Sequence, residues 1–282
     1  MIGIDGGGSS CRFALLDGGA RIEVSLGAAN AFSDRPGTIA TLRDGIAALA
    51  ARAGLTPDDI AGARLHAGLA GIMTPADAAE VAAALPVRTA RVTDDRPTTL
   101  RGALGGAEGT LAAIGTGSFF GRQAAGRTGF IGGWGFRLGD EASGAWIGRA
   151  LLAATLHAVD GVRPRTGLVD ATLADFGNNP AALVTAAQGF APRDFAAFAA
   201  RVVEAGLQGD PLAEELMREG ADWILKAAAA LGWRRGEALC LTGGLGPHYA
   251  RVLDADVVAP RGTAVDGALA LAADLPRGGD AP

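Results

Sequence analysis

The chain has 282 residues, a length that fits one large domain or two domains of ordinary size. Hydrophobic residues make up 49% and charged residues 20% of the chain, so a sizeable core can form and global disorder is excluded. The formal net charge is -5 and there is no basic tract, which argues against a nucleic-acid partner. No apolar stretch reaches membrane-spanning length and no leader pattern is present, so we expect no membrane partner and a cytoplasmic protein.

Cysteine and lysine usage restricts the cofactor chemistry. Cys11 and Cys240 are the two cysteines, and two thiols far apart in sequence cannot build a four-thiolate metal site. Lys226, in a helical pattern, is the only lysine, so neither a Walker A lysine nor the strand lysine of a protein kinase is present. A protein of this composition that uses ATP must therefore do so through another architecture.

The first part of the chain alternates strands and helices in the order β-β-β-α-β-α-β-α, which predicts an α/β domain built on a mixed sheet. Buried strands are predicted from short apolar runs bounded by glycine or polar residues, and helices from apolar residues at helical spacing. The predicted elements are strands 1–4, 13–16 and 21–26, helix 38–53, strand 63–67, helix 75–85, strand 88–92 and helix 98–104.

The second part of the chain opens on the same pattern of strand, glycine loop and strand. Its predicted elements are strands 109–114, 119–124 and 128–131, helix 144–159, a mostly helical segment 160–235, strands 238–241 and 257–258, and helix 264–273. Repetition of the opening pattern without a short period indicates a duplicated domain plan. Two similar lobes with a cleft between them would suit a nucleotide and a small substrate.

Two glycine loops are candidate phosphate sites. Asp5 ends the first apolar run and is followed by Gly6, Gly7 and Gly8, and the segment 115–118 follows a later strand in the same way. Glycine lets the backbone approach an anion and present N–H groups to it, and an acid at a strand end can hold a metal ion against that anion. The alternative is that both loops are simple hairpin turns.

Asp94 and Asp95 follow the predicted strand 88–92. Either carboxylate could be a general base for a substrate hydroxyl, which only requires hydrogen-bond reach. Because adjacent strand residues point to opposite faces, we expect one to serve this role and the other to cap the next helix. Spacing alone does not choose between them.

Two further segments could contact a ligand. Asp140 precedes a predicted helix, where acids commonly compensate the helix dipole, but nearby glycines and Trp134 favour a pocket in which Asp140 holds sugar hydroxyls and Trp134 forms a wall. The loop 242–246 follows a buried strand, and its glycines would let a flat adenosine lie against the backbone. The alternative for this loop is an ordinary β-to-α turn.

In combination these motifs resemble the BadF/BadG/BcrA/BcrD ATPase family of the actin–hexokinase–Hsp70 superfamily, and within it the N-acetylglucosamine and glucosamine kinases. The resemblance rests on Ile-Gly-Ile-Asp-Gly-Gly-Gly-Ser at 2–9, Asp95, Ile-Gly-Thr-Gly-Ser at 114–118, the Gly-Gly-Trp-Gly…Gly-Asp-Glu pattern of 132–141 and Leu-Thr-Gly-Gly at 241–244. It implies an α/β fold of two ribonuclease H-like (actin/hexokinase-type) lobes with mixed five-stranded sheets and a nucleotide cleft between them. The implied lobes are 1–106 and 107–282, with the last helix, about 264–275, packing back on the first.

The resemblance also implies ATP and Mg²⁺ as cofactors and assigns roles to individual residues. Asp5 would organise the metal, and Asp95 would be the catalytic base and a sugar contact. The other implied sugar-binding residues are Asn30, Trp134 and Asp140. The implied nucleotide-binding residues are Gly7, Gly8, Ser9, Gly115, Thr116, Gly117, Gly243 and Gly244.

The implied activity is ATP-dependent phosphorylation of the 6-hydroxyl of N-acetylglucosamine or glucosamine, a small-molecule amino sugar, by a protein that the resemblance favours as a homodimer. Phe119 and the Arg96-Pro97 pair depart from the family pattern and leave the identity of the sugar open. One alternative is an ATPase that activates a 2-hydroxyacyl-CoA dehydratase, although Cys11 and Cys240 are poorly placed for its iron–sulfur cluster. A second is a nucleotide-dependent sugar sensor without turnover.

Overall fold

The structure is a computed structural model that describes residues 1–8 and 10–276. The chain forms two compact units, one comprising Met1–Ala107 together with the chain from Pro260 onward, and the other comprising Glu108–Ala259. Each unit has its own sheet and its own cluster of buried apolar side chains. In the described ranges, no helix is both long enough and apolar enough to span a membrane.

The elements follow one another in the order of the chain. Up to Ala107 they are β1 (Ile2–Gly6), β2 (Cys11–Asp17), β3 (Ala20–Leu26), α1 (Arg35–Ala53), α2 (Pro57–Ala61), β4 (Arg64–Leu69), α3 (Pro75–Ala83), β5 (Thr89–Thr93) and α4 (Asp95–Leu104). Beyond it they are β6 (Gly109–Ile114), β7 (Ser118–Ala124), β8 (Arg127–Gly132), α5 (Gly144–Val159), α6 (Gly167–Ala174), α7 (Pro180–Gln188), α8 (Pro192–Ala196), α9 (Ala199–Leu207), α10 (Pro211–Ala230), β9 (Leu239–Thr242), α11 (Gly246–Tyr249), β10 (Val257–Val258) and α12 (Ala264–Ala273).

The first unit is built on a mixed five-stranded sheet in the order β3-β2-β1-β4-β5. β1, β2 and β3 form an antiparallel meander, and β4 and β5 extend the sheet parallel to β1. The central strands are buried almost throughout, as expected for strands covered on both faces. The carboxyl ends of β1, β4 and β5 therefore lie along one edge of this sheet.

The second unit repeats this arrangement in the order β10-β9-β6-β7-β8. β6, β7 and β8 form the antiparallel meander, and β9 and β10 extend the sheet parallel to β6. The α/β fold with two mixed five-stranded sheets and the duplicated plan are thereby confirmed. Helices α6 to α9 lie between the meander and β9 in sequence, in the segment predicted to be mostly helical.

Close backbone packing attaches α12 to the first unit. A Cβ on Gly267 of α12 would collide with the carbonyl oxygen of Thr98 in α4, and one on Gly102 of α4 would collide with that of Thr263. A Cβ on Gly3 would lie 2.7 Å from the backbone nitrogen of Leu269. Glycine is needed at these positions because the helices and the strand approach each other at backbone distance.

The helices differ from the sequence expectation at several points. The helix predicted at 38–53 begins at Arg35, and the one predicted at 75–85 ends at Ala83. The helix predicted at 98 begins at Asp95, since Pro97 lies within the first turn, where a missing N–H costs no intrahelical bond. The short α2 was not predicted. Its start carries a capping box formed by Thr56 and Asp59, with Pro57 at the first position, which is a recognisable signal for a helix start.

Candidate functional site

The first unit brings three predicted site residues to one edge of its sheet. Asp5 lies at the end of β1, and Asp95 lies just beyond the end of β5. Asn30 forms an isolated parallel bridge with Ala70, immediately after β4. The carboxyl ends of parallel strands are the usual position of ligand sites in α/β sheets, so these residues form a candidate site edge.

Asp5 is a largely buried carboxylate, with 20% of its side chain exposed. Burial raises its pKa above the usual value, and the guanidinium of Arg12 opposes that rise. Arg12 lies opposite Asp5 in the β1–β2 pairing, and its Nη1 is 3.8 Å from Oδ2 of Asp5. The Arg12 side chain is 59% exposed, so this ion pair lies at the surface of the edge.

The structure distinguishes the two adjacent carboxylates Asp94 and Asp95. β5 ends at Thr93, so neither of them is a strand residue, and the expectation that they point to opposite strand faces does not apply. Asp94 is the N-cap of α4, which confirms that one of the two caps this helix. Its Oδ1 accepts from the backbone nitrogen of Arg96 at 3.0 Å and from Nε at 2.9 Å, and its Oδ2 accepts from Nη2 at 3.1 Å.

Asp95 is the first residue of α4 and has a perturbed acidity. Burial raises its pKa to about 6, and the neighbouring charges of Asp94 and Asp5 act in the same direction. Its own N–H and Arg96 oppose the shift. A partly buried carboxyl that titrates near neutrality beside other carboxylates has the electrostatic character of a general base.

The three glycines after Asp5 differ in their surroundings. A Cβ on Gly6 would lie 2.6 Å from Cδ2 of Leu69, so the Leu69 side chain would have to shift to admit it. Gly7 donates its N–H to the carbonyl of Ser10 at 2.9 Å, which closes the turn. Gly8 is exposed, and a Cβ added to it would have no atom within 4 Å. Ser9, the remaining predicted residue of this loop, lies outside the described residues.

Asn30 holds a turn at the same edge. Its Oδ1 accepts from the backbone nitrogen of Phe32 at 3.0 Å and from that of Ser33 at 3.3 Å. The turn packs against Gly71, where a Cβ would collide with Oδ1 of Asn30. The side-chain oxygen therefore has a structural role, and its NH₂ group is the part of Asn30 that could donate to a ligand.

In the second unit, the loops after two neighbouring parallel strands contact each other. Gly115, Thr116 and Gly117 follow β6, and Gly243 and Gly244 follow β9. Gly243 has φ +83°, and a Cβ there would collide with the carbonyl oxygen at the end of β6. The predicted phosphate and adenosine loops therefore form one continuous surface in this unit.

Asp140 joins that surface from a third loop. It is 8% exposed with φ 63°, and burial raises the pKa of its carboxyl, while the backbone N–H groups of Ser118 and Gly135 oppose the rise. A Cβ on Gly117 would lie only 2.8 Å from Oδ2 of Asp140. Through its contacts with Gly117 and Ser118, Asp140 holds the segment 132–141 against the loop after β6.

Trp134 lies in the same segment but has a different environment, since 71% of it is exposed. Phe136, two residues later, packs against Phe195 of α8 with ring centroids 4.9 Å apart. Phe136 thus anchors the segment to the helical part of the unit, while the Trp134 ring remains available to a ligand.

Sequence reasoning missed three residues that shape these edges. Arg12 and Arg96 set the electrostatics of Asp5 and Asp94, and Tyr249 donates its hydroxyl to the carbonyl of Ala142 at 2.9 Å, where the backbone has φ 67°. Arg12 could have been found from its hairpin position opposite Asp5. The roles of Arg96 and Tyr249 depend on helix boundaries and tertiary contacts that carry no local signal.

Comparison with known proteins gives consistent matches along nearly the whole chain. The sequence model of the BadF/BadG/BcrA/BcrD ATPase family matches residues 2–262. Glucosamine kinase GspK of Vibrio cholerae serotype O1 is 32% identical over 278 residues, which cover 96% of this chain and 95% of that protein.

Solved structures agree with this match. The crystal structure of a candidate N-acetylglucosamine kinase from Chromobacterium violaceum has 31% identity and a TM-score of 0.85, covering 96% of this chain and 98% of the other. A candidate N-acetylglucosamine kinase from Porphyromonas gingivalis has 22% identity and a TM-score of 0.71 over 96% and 98% of the two chains, which supports the fold alone.

The adjacent glycines Gly243 and Gly244 form a matched test of the loop contact. Gly243→Ala should lower the free energy of unfolding by about 1–3 kcal/mol, because it combines a positive φ with a collision against backbone. Gly244→Ala should change it by less than about 0.5 kcal/mol, because its Cβ meets nothing and its φ is not positive. Urea denaturation of both variants measures the difference, and equal stability would contradict the described contact.

Proposed function

The chain belongs to the BadF/BadG/BcrA/BcrD ATPase family, and we propose that it is an ATP-dependent kinase that phosphorylates the 6-hydroxyl of glucosamine or N-acetylglucosamine. The family inferred from the sequence motifs is confirmed. The names of the Vibrio cholerae and Chromobacterium violaceum relatives support the substrate class. The single observation that carries the mechanism is the raised pKa of Asp95 at the edge that also holds Asp5 and Asn30.

Phosphoryl transfer requires mainly positioning and charge stabilisation from the protein. In the proposed reaction, Asp95 accepts the proton of the sugar hydroxyl as that oxygen attacks the terminal phosphate. A base with a pKa of about 6 is ionised at neutral pH yet binds the proton more strongly than an ordinary aspartate. Asp94 does not compete for this role, because its two oxygens accept from the backbone and guanidinium of Arg96.

Asp5 fits the proposed role of magnesium organiser. Mg²⁺ prefers oxygen ligands and is usually bound by one or two carboxylates together with water and substrate phosphates. Asp5 could supply one such carboxylate, because it lies at the carboxyl end of β1 with part of its side chain exposed. Bound magnesium would neutralise charge on the phosphates during transfer.

We assign ligand contacts to the remaining predicted residues. The loops 7–9 and 115–117 would bind phosphate oxygens, because glycine permits close approach. The N–H groups of Gly7 and Gly115 already donate within their loops, to the carbonyls of Ser10 and Gly117, so the donors to phosphate would be the N–H groups that follow them. Gly243 and Gly244 would contact adenosine, and the contact of their loop with the end of β6 supports this assignment. Asn30, Trp134 and Asp140 would contact the sugar, with Trp134 presenting an exposed ring to its apolar face.

The environment of the two thiols disfavours the alternative of a dehydratase activator. Cys11 and Cys240 are 0% and 1% exposed. Burial raises the pKa of Cys11 to about 12 and that of Cys240 to about 11. Both therefore retain the proton, whereas an iron–sulfur cluster requires accessible thiolates.

ADP release from the purified protein should depend on an amino sugar. With ATP and Mg²⁺ present, glucosamine or N-acetylglucosamine should stimulate ADP release and yield the sugar 6-phosphate, whereas glucose and N-acetylmannosamine should be poorer substrates. A coupled ADP assay across these four sugars measures the stimulation, and mass spectrometry identifies the product. Failure of every sugar to stimulate release would refute the proposed function, and amino-sugar binding without release would favour a sensor.

Asp95→Asn should lower kcat by about 100- to 10,000-fold, because amide nitrogen and oxygen cannot accept the hydroxyl proton. Affinity for ATP should stay within about threefold of the wild type, since the side chain keeps its size. Asp94→Asn is the matched control: asparagine is an equally good N-cap, so kcat should fall by less than about tenfold. Equal losses in the two variants, or normal turnover by Asp95→Asn, would remove Asp95 from the mechanism.

The raised pKa of Asp95 predicts the direction of the pH dependence. Because the base must be ionised, kcat/KM for the sugar should rise with pH up to about 6 and level off above it. The Asp94→Asn substitution removes a charge that raises this pKa, so the midpoint should move to lower pH. Steady-state rates of both proteins measured from acidic to neutral pH test the prediction, which a pH-independent kcat/KM would contradict.

A further inference from the structure

A buried histidine lies beneath the candidate site edge of the first unit. His66 of β4 is 3% exposed, and the strand register places it on the same sheet face as Gly68 and Thr93. This face is covered by α4 and α12, because a Cβ on Gly68 would collide with Thr98 of α4 and Gly3, the β1 partner of His66, packs against α12. Nothing in the proposed mechanism so far uses His66.

Hydrogen bonds link His66 through the hydroxyl of Thr93 to the carbonyl of Asp94. The hydroxyl of Thr93 donates to the carbonyl oxygen of Asp94 at 2.8 Å, and Nε2 of His66 lies 3.2 Å from the same hydroxyl oxygen. A threonine hydroxyl has one hydrogen, so when it donates to the nearer Asp94 carbonyl it accepts from His66, and Nε2 then carries the proton. Nδ1 has no hydrogen-bond partner in the described part of the chain. Burial and the charge of Arg91 lower the pKa of His66 to about 4, which keeps the ring neutral.

This chain of bonds ends on an unusual carbonyl group. At other helix starts, the N-cap carbonyl accepts the N–H four residues later, as from Thr38 to Asp34 and from Ile147 to Ser143. Among the described residues, the Asp94 carbonyl accepts no such bond. The hydroxyl of Thr93 takes the place of the helical donor and holds the peptide group that joins Asp94 to Asp95.

We propose that His66 and Thr93 are positioning residues that orient the peptide between Asp94 and Asp95, and thereby the carboxylate of Asp95. This inference rests on the proposed role of Asp95 as the base. The directed bonds from Nε2 through the Thr93 hydroxyl fix the rotation of that peptide, which sets the direction of the Asp95 side chain.

The matched variants Thr93→Val and Thr93→Ser test the inference. Valine keeps the shape of threonine and suits a strand but removes the hydroxyl, so kcat should fall by about tenfold or more while KM for ATP and sugar changes by less than about threefold. Serine keeps the hydroxyl and should restore kcat to within about threefold of the wild type. Melting temperatures and ATP affinity, measured on the same samples, report on folding.

The results for the Thr93 variants and for the wild-type protein bear on different claims. A normal kcat for Thr93→Val overturns the inference. A low kcat in both Thr93→Val and Thr93→Ser also overturns it. So does a loss of kcat in Thr93→Val that is matched by an equal loss of ATP affinity. A wild-type protein that phosphorylates no sugar defeats the proposed function instead.

The direction of the hydrogen bonds can be tested without activity, from the ¹⁵N chemical shifts of the His66 ring, assigned by their absence in His66→Gln. We expect a protonated Nε2 and an unprotonated Nδ1 at neutral pH, and the opposite tautomer would overturn the chain of bonds.

Discussion

Parallel pairing at the centre of each sheet is the constraint on which the candidate site depends. β4 and β5 run parallel to β1, and β9 runs parallel to β6, so the loops that follow these strands emerge at one edge of each sheet. Such strands must be covered on both faces, and the backbone-distance packing of α12 supplies part of that cover in the first unit. The same pairing that buries the core therefore assembles Asp5, Asn30 and Asp95 from distant parts of the sequence.

Burial of Asp95, together with the neighbouring carboxylates at this edge, opposes stability. Because the pKa of Asp95 is raised, the folded protein binds its proton more tightly than the unfolded chain does, and the stability present at acidic pH is lost as the pH rises from about 4 through about 6. Arg12 and Arg96 offset part of this cost through Asp5 and Asp94. A residual electrostatic penalty at an otherwise well-packed edge is typical of groups whose acidity is tuned for chemistry.

The sequence predicts the strands, the glycine loops and the acids at strand ends, since each has a local pattern. Spacing alone could not choose between Asp94 and Asp95, and only the family resemblance pointed to Asp95. The choice depends on where β5 ends and α4 begins, and Pro97 conceals that boundary. The buried setting of Asp140 was equally inaccessible, since it depends on how the segment 132–141 folds back on Gly135 and meets Ser118 of β7. Local periodicity determines elements, whereas side-chain environments depend on which elements meet.

The loop and strand glycines differ in whether a Cβ would fit, and this difference bears on function. Gly3 and Gly243 have no room for a Cβ, which would collide with backbone atoms, so the fold alone accounts for them. Gly8 and Gly244 have no positive φ and nothing within 4 Å of a built Cβ, so neither backbone conformation nor packing requires glycine there. Both lie in loops at the carboxyl ends of central strands, and a missing side chain there leaves room for the nucleotide contacts that we propose.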